Sequence, residues 1–280
     1  MAGITLDALL RQDRIIITIS LVAITLLAWL YLLSLGEMAA PSEQPMESME
    51  GMPGMPGMDM QGMTEAMLAP HAWAPREAFL VFTMWSVMMV GMMLPSAAPM
   101  ILLYARVGRH AASQDAPFAA TGVFGAGYIA AWFLFSLTAT LAQWLLEHAL
   151  LLTPMLESAN GLFSGVLLLV AGVYQWTPLK HACLSKCRAP LAFIQSEGGL
   201  RRDPWGAFRM GLRHGLYCVG CCWPLMALLF VGGIMNILWI AALAIFVLAE
   251  KVMPGGRWLS QAAGTVLVAA GVWLIVRGLL

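Results

Sequence analysis

Runs of about twenty apolar residues recur along nearly the whole chain, beginning with the stretch from Ile15 to Leu35. A run of that length crosses the hydrocarbon layer of a bilayer as one helix. Inside that layer the backbone must satisfy its own polar groups, which leaves an open chain only the helix. Of the 280 residues, 11% are charged, less than half of the roughly 25% found in soluble domains. These observations predict an all-α, polytopic membrane helix bundle with about seven transmembrane helices.

Charge sets the orientation. Arg11 and Arg14 precede the first apolar run, which is too long for a signal-peptide core and lacks a small-residue cleavage site. The positive-inside rule then puts the N-terminus in the cytoplasm. Further spans are read at 77–104, 118–147, 161–176, 214–235, 237–250 and 259–276, with Asn236 at the tip of a tight turn. The stretch 36–76 carries Glu37, Glu43, Glu47, Glu50, Asp59 and Glu65 against Arg76 and falls outside. The stretch 177–213 carries Lys180, Lys186, Arg188, Arg201, Arg202, Arg209 and Arg213 against Glu197 and Asp203 and falls inside. Arg277, at the outer end of the last span, is a mild exception. Three regions follow: an N-terminal transmembrane helix (1–35), a disordered methionine-rich periplasmic loop (36–76), and a six-helix metal-binding membrane domain (77–280) with a cytoplasmic basic loop at 177–213. The expected location is the bacterial inner membrane. A formal net charge of zero gives no reason to expect a nucleic-acid partner.

Nine of the 21 methionines fall between Gly36 and Arg76, and Met46, Met49, Met52, Met55 and Met58 recur every third residue. That period differs from the 3.6 of a helical stripe, and the interleaved Gly51, Pro53, Gly54, Pro56 and Gly57 prevent a stable helix. Thioether sulfur is a soft, neutral ligand that suits Cu(I), and it needs no deprotonation. Met49, Met52, Met55, Met58, Met60 and Met63 are therefore candidate ligands for Cu(I), with silver as its mimic. The plain alternative is a flexible linker or an apolar surface for another protein.

Two more rows of thioethers lie in the span 77–104: Met84, Met88 and Met92 at a spacing of four, with Met89 and Met93 beside them. Helical geometry places each row along one side of the helix. Ordinary packing also uses methionine this way. Gly91 permits close approach, and Pro95 and Pro99 remove backbone hydrogen bonds from the inner half.

All five cysteines fall in the inner half or on the cytoplasmic side. Cys183 and Cys187 share one face if their segment is helical, and so do Cys218, Cys221 and Cys222. Counted from Arg213, the second group lies about 8–14 Å along the helix. The acidic loop holds no cysteine, which argues against structural disulfides. A thiolate metal site built by both motifs together is the leading reading, with redox catalysis and packing as alternatives. His181 and His214 are possible additional ligands, against the plainer reading of solvated interfacial groups. Glu250 and Lys251 read as residues that snorkel to the interface, with Glu250 as a possible carboxylate near the cysteines. Gln143, Glu147 and His148 read as interfacial anchors.

The motifs "WSVMMVGMMLPSAAPM", "YQWTPLKHACLSKCRAP" and "GLRHGLYCVGCCWPLM", followed by "GGIMNILWI" and Glu250–Lys251, resemble a bacterial family of predicted metal-binding integral membrane proteins, a domain of unknown function. The resemblance covers residues 77 to 275. It implies metal binding for Cys183, Cys187, Cys218, Cys221 and Cys222, and it implies no mechanism.

No nucleotide-binding loop, dinucleotide fingerprint or hydrolase elbow occurs, so no energy source and no organic cofactor is evident. The expected function is non-enzymatic binding and transfer of Cu(I), as uptake or as delivery to a membrane cuproenzyme. Besides the lipid bilayer, the expected partners are that enzyme or a periplasmic or cytoplasmic copper chaperone. A membrane thiol–disulfide oxidoreductase working with a quinone is the alternative from another class. A non-catalytic assembly subunit is the third.

Overall fold

The computed structural model describes residues 6–39, 73–112, 121–152, 158 and 160–279. Those residues form ten helices: α1 (Leu6–Ala39), α2 (Pro75–Ala112), α3 (Thr121–His148), α4 (Gly161–Gln175), α5 (Pro178–Arg188), α6 (Pro190–Ser196), α7 (Pro204–Ala227), α8 (Leu229–Gly232), α9 (Ile237–Val252) and α10 (Gly256–Leu279). Among the described residues the sole β element is an isolated bridge between Leu152 and Ser158.

The helix starts are written locally. Asn160, Thr177, Asp203 and Asn236 each accept a backbone N–H of the first turn of α4, α5, α7 and α9, satisfying a donor that has no partner within the helix. Pro178, Pro190 and Pro204 take the first helical position of α5, α6 and α7, where a missing N–H costs nothing. Asn236 is thus a helix cap as well as a turn residue. The segment 177–213, expected as a loop, is largely helical: it holds α5, α6 and the first ten residues of α7. Basic content had pointed to a solvated loop, but three Pro-initiated starts mark helices.

Among the described residues, five helices are long and apolar enough to cross a membrane: α1, α2, α3, α10, and α7 continued through α8. A sixth span arises if α4 and α5, which meet at a 65° bend, are counted as one. At 16 residues, α9 is shorter than a full span. Half of the best apolar window of α2 is buried, and 56% of that of α7, against 11% for α1 and 17% for α10. The bundle is therefore organised around α2 and α7, and the large apolar side chains exposed on α1 and α10, such as Leu27 and Trp273, form an outer surface compatible with lipid.

Close helix contacts use small residues, which drive association where no water is displaced. Helix α7 packs on α3 so tightly that a Cβ on Gly211 would collide with the Phe124 carbonyl oxygen, and one on Gly127 with that of Phe208. Helix α10 packs chiefly on α4 through Gly165, Gly172, Gly264 and Gly271. Helix α1 packs on α2, where a Cβ on Gly91 would stand 3.0 Å from that of Ala28, the close approach expected of that glycine.

Candidate metal centre

The cysteines meet where α5 lies against α7. Cys218, Cys221 and Cys222 are buried on α7, and Cys183 and Cys187, on α5, are partly covered. The Cys187 and Cys222 thiols each interact electrostatically with Cys218 and Cys221. Two motifs thirty residues apart thus supply one four-thiol cluster. Cys183 flanks it: a Cβ on Gly220 would stand 3.0 Å from its sulfur. No three Cys, His, Asp or Glu side chains among the described residues stand in a ready-made metal-binding arrangement. The geometry shows why. Cys221 and Cys222 turn their thiols back onto the Cys218 carbonyl oxygen, at 3.1 and 3.0 Å. Closing on an ion takes rotation of those two side chains away from the backbone.

Cys218 is the most heavily contacted of the set. The Lys251 ammonium is 2.9 Å from its sulfur and the Tyr128 hydroxyl 3.2 Å. Tyr128 also donates to the Met93 carbonyl oxygen at 3.1 Å, and Lys251 to Ser96 Oγ at 3.0 Å. The cysteine helix α7 and the methionine helix α2 are therefore joined through two side chains, from α3 and α9.

Glu250 and Lys251 do not snorkel; the structure corrects that expectation. Both are buried, and they face different partners. Glu250 receives Lys180 Nζ at 2.7 and 2.9 Å and the Ser260 hydroxyl at 2.6 Å, and Lys180 also bonds Gln175. Lys251 turns to the thiols, and among the described residues no carboxylate stands in ion-pair contact with it. Adjacent helical residues point about 100° apart, so such a pair cannot neutralise itself and each member needs a partner elsewhere.

Met84, Met88, Met89, Met92 and Met93 are all buried in the bundle, not turned to lipid. Along α2 they cover about 14 Å at 1.5 Å per residue. The stripe ends one turn before Ser96, and so at the Lys251–Cys218 pair. At its other end, Trp85 donates to Gln143, Gln143 to Glu147, and Trp73 to Glu147. Gln143 is buried and Glu147 partly so, and this chain of bonds ties α2 to α3. Interfacial anchoring thus describes Gln143 poorly.

His214 lies one turn before Cys218 and is buried against the rings of Phe124, Tyr128 and Phe193 at 6.1, 6.0 and 5.0 Å. Its Nδ1 has no hydrogen-bond partner among the described residues. It is not the solvated group that its place near a predicted interface suggested. His181 sits two residues before Cys183, roughly 200° around α5, in the field of Lys180 and Arg257. Among the described residues its side chain forms no hydrogen bond with a thiol. Met49, Met52, Met55, Met58, Met60 and Met63 lie outside the described residues.

The chemistry of the donor set is soft throughout: four thiols in one neighbourhood, a fifth beside them, and buried thioethers leading up to them. Such a set suits Cu(I). A family described as copper chaperone, PpoB2, matches residues 82–274, over two thirds of the chain. The chain belongs to that copper-chaperone family. The matched region contains every cysteine and the whole methionine stripe of α2, and it excludes α1 and the methionine-rich loop. No curated protein and no solved structure matches the chain.

Proposed function

We propose that this chain is a multi-pass protein of the bacterial inner membrane, with its N-terminus in the cytoplasm, that binds Cu(I) and hands it to a partner. Cys187, Cys218, Cys221 and Cys222 form the holding site, and Cys183 is the adjoining thiol from which the ion moves on or off. The thioethers of α2 conduct the ion to that site, and the loop methionines, from Met49 to Met63, collect it. Affinity rises from thioether to thiolate, so the path has a direction without an energy source. Membership in a chaperone family favours delivery over uptake. His214 is a reserve ligand one turn away; His181 is left out.

The observation that carries this reading is the convergence of two separate cysteine motifs at one buried place, inside the region that the copper-chaperone family covers. The test is competition for Cu(I) between the purified full chain and a chromophoric chelator. Replacing Cys218, Cys221 and Cys222 together by serine is expected to weaken binding by more than about a hundredfold, since losing a single outer-shell partner of a metal site already costs about 10–100-fold. Unchanged affinity and stoichiometry would sink the holding site. The oxidoreductase alternative predicts disulfides that form and break reversibly in alkylation assays with a quinone present. The carrier predicts thiols that copper protects from alkylation.

A further inference from the structure

Two buried lysines flank the thiols, and their charges are balanced differently. The Lys180 charge is cancelled by Glu250, with both oxygens at hydrogen-bonding distance. The Lys251 charge meets a hydroxyl and the Cys218 sulfur, and it acts most strongly on Cys218 and less on Cys221, Cys222 and Cys187. An isolated buried ammonium is costly in surroundings of low dielectric constant, so the thiol cluster is where its compensating negative charge belongs. Each thiol that binds a metal ion releases its proton. Where two of the four thiols give up their protons and the other two stay neutral, a monovalent ion and its thiolates carry a charge of −1, and with the ammonium the buried site sums to zero. A divalent ion held linearly by two thiolates is neutral, and with the ammonium the site keeps a charge of +1.

We infer that Lys251 is the built-in counter-ion of a two-thiolate complex and makes the site choose monovalent over divalent soft ions by charge. This rests on the thiol cluster being the metal site, and it adds how that site recognises its ion. Lys251 acts as a positioning residue: it contributes a fixed charge beside the ligands and no bond to the metal. Ser96 Oγ also accepts from the ammonium, at 3.0 Å, and so helps fix where that charge sits.

Ag(I) and Hg(II) both favour linear two-thiolate coordination and differ by one unit of charge, which separates a charge effect from a structural one. Their affinities are measured on the full chain by competition with a small dithiol, for the parent protein and for Lys251→Met, Lys251→Arg and Ser96→Asp. Lys251→Met is expected to weaken Ag(I) by about tenfold or more, the scale of one close charge pair, and to leave Hg(II) within about threefold. Lys251→Arg restores Ag(I). Ser96→Asp brings a carboxylate to the ammonium and is expected to reproduce the silver-selective loss, even if Lys251→Met fails to fold. Equal losses for both ions, or no loss of Ag(I), would overturn the counter-ion role while leaving the thiol site intact. If the parent binds Ag(I) no better than the triple serine variant, the thiol site fails and the counter-ion with it.

Discussion

Lys180 has no exposed surface and both of its strong partners are buried with it. Removing one member of a buried pair leaves an uncompensated charge, at a cost of about 3–5 kcal/mol, whereas replacing both by apolar residues is often neutral. Glu250→Ala is therefore expected to lower the unfolding midpoint in detergent sharply, and Lys180→Met combined with Glu250→Leu to recover most of the loss. A midpoint unmoved by Glu250→Ala would mean that water reaches the pair. At this scale the sequence told half of the story. The shared faces of Cys183 with Cys187, and of Cys218 with Cys221 and Cys222, were legible because i,i+3 and i,i+4 spacing in a helix determines them. The role of Lys251 was not, because an adjacent Glu–Lys at the end of an apolar run looks like a snorkelling pair. The usable signal was that neighbours on a helix cannot pair with each other, so each charge had to be answered elsewhere in the bundle.

Helix α2 has its five thioethers buried and ends its stripe at the Cys218 neighbourhood. Leucine and methionine are close in volume, and such exchanges in a core usually cost less than about 1.5 kcal/mol. Replacing Met84, Met88, Met89, Met92 and Met93 by leucine is thus expected to preserve fold and Cu(I) affinity at the thiols. It should slow loading of the thiols from added Cu(I) or abolish binding beyond the first equivalent. Loading at the parental rate and stoichiometry would reduce the stripe to packing. Helix α7 makes a second prediction: Gly211→Ala meets the Phe124 backbone and pushes α7 off α3, carrying Cys218 away from Tyr128. Folded yield and Cu(I) affinity are expected to fall together, since the contact is backbone to backbone and no side chain can give way. The helices themselves were readable from apolar runs, but their order of burial was not. That α2 and α7 are central while α10 is peripheral depends on which small residues face each other across helices, which a single sequence does not pair. In the segment 177–213 the helix starts at Pro178, Pro190 and Pro204 are the signal that this basic connection is itself largely helical.

For the whole molecule, the family match ends short of the loop methionines while containing the thiols and the stripe. The holding site should therefore be independent of the loop. Deleting residues 38–67 is expected to leave the thiol affinity unchanged and to reduce the number of Cu(I) ions bound; loss of the thiol site on deletion would mean that the loop supplies ligands to it. The long apolar helices and the soft donor set were legible from hydropathy and from sulfur placement. That the two cysteine motifs belong to one site was legible as well; how they meet was not, because that arises from the packing of α5 on α7 after the 65° bend between α4 and α5. The most direct measurement is X-ray absorption at the copper edge on the full chain loaded with one equivalent of Cu(I), alongside the triple serine variant at Cys218, Cys221 and Cys222. The account predicts a first shell of sulfur alone at thiolate distances in the parent, and loss of that shell in the variant. A first shell containing nitrogen or oxygen, or the same spectrum from both proteins, would contradict it.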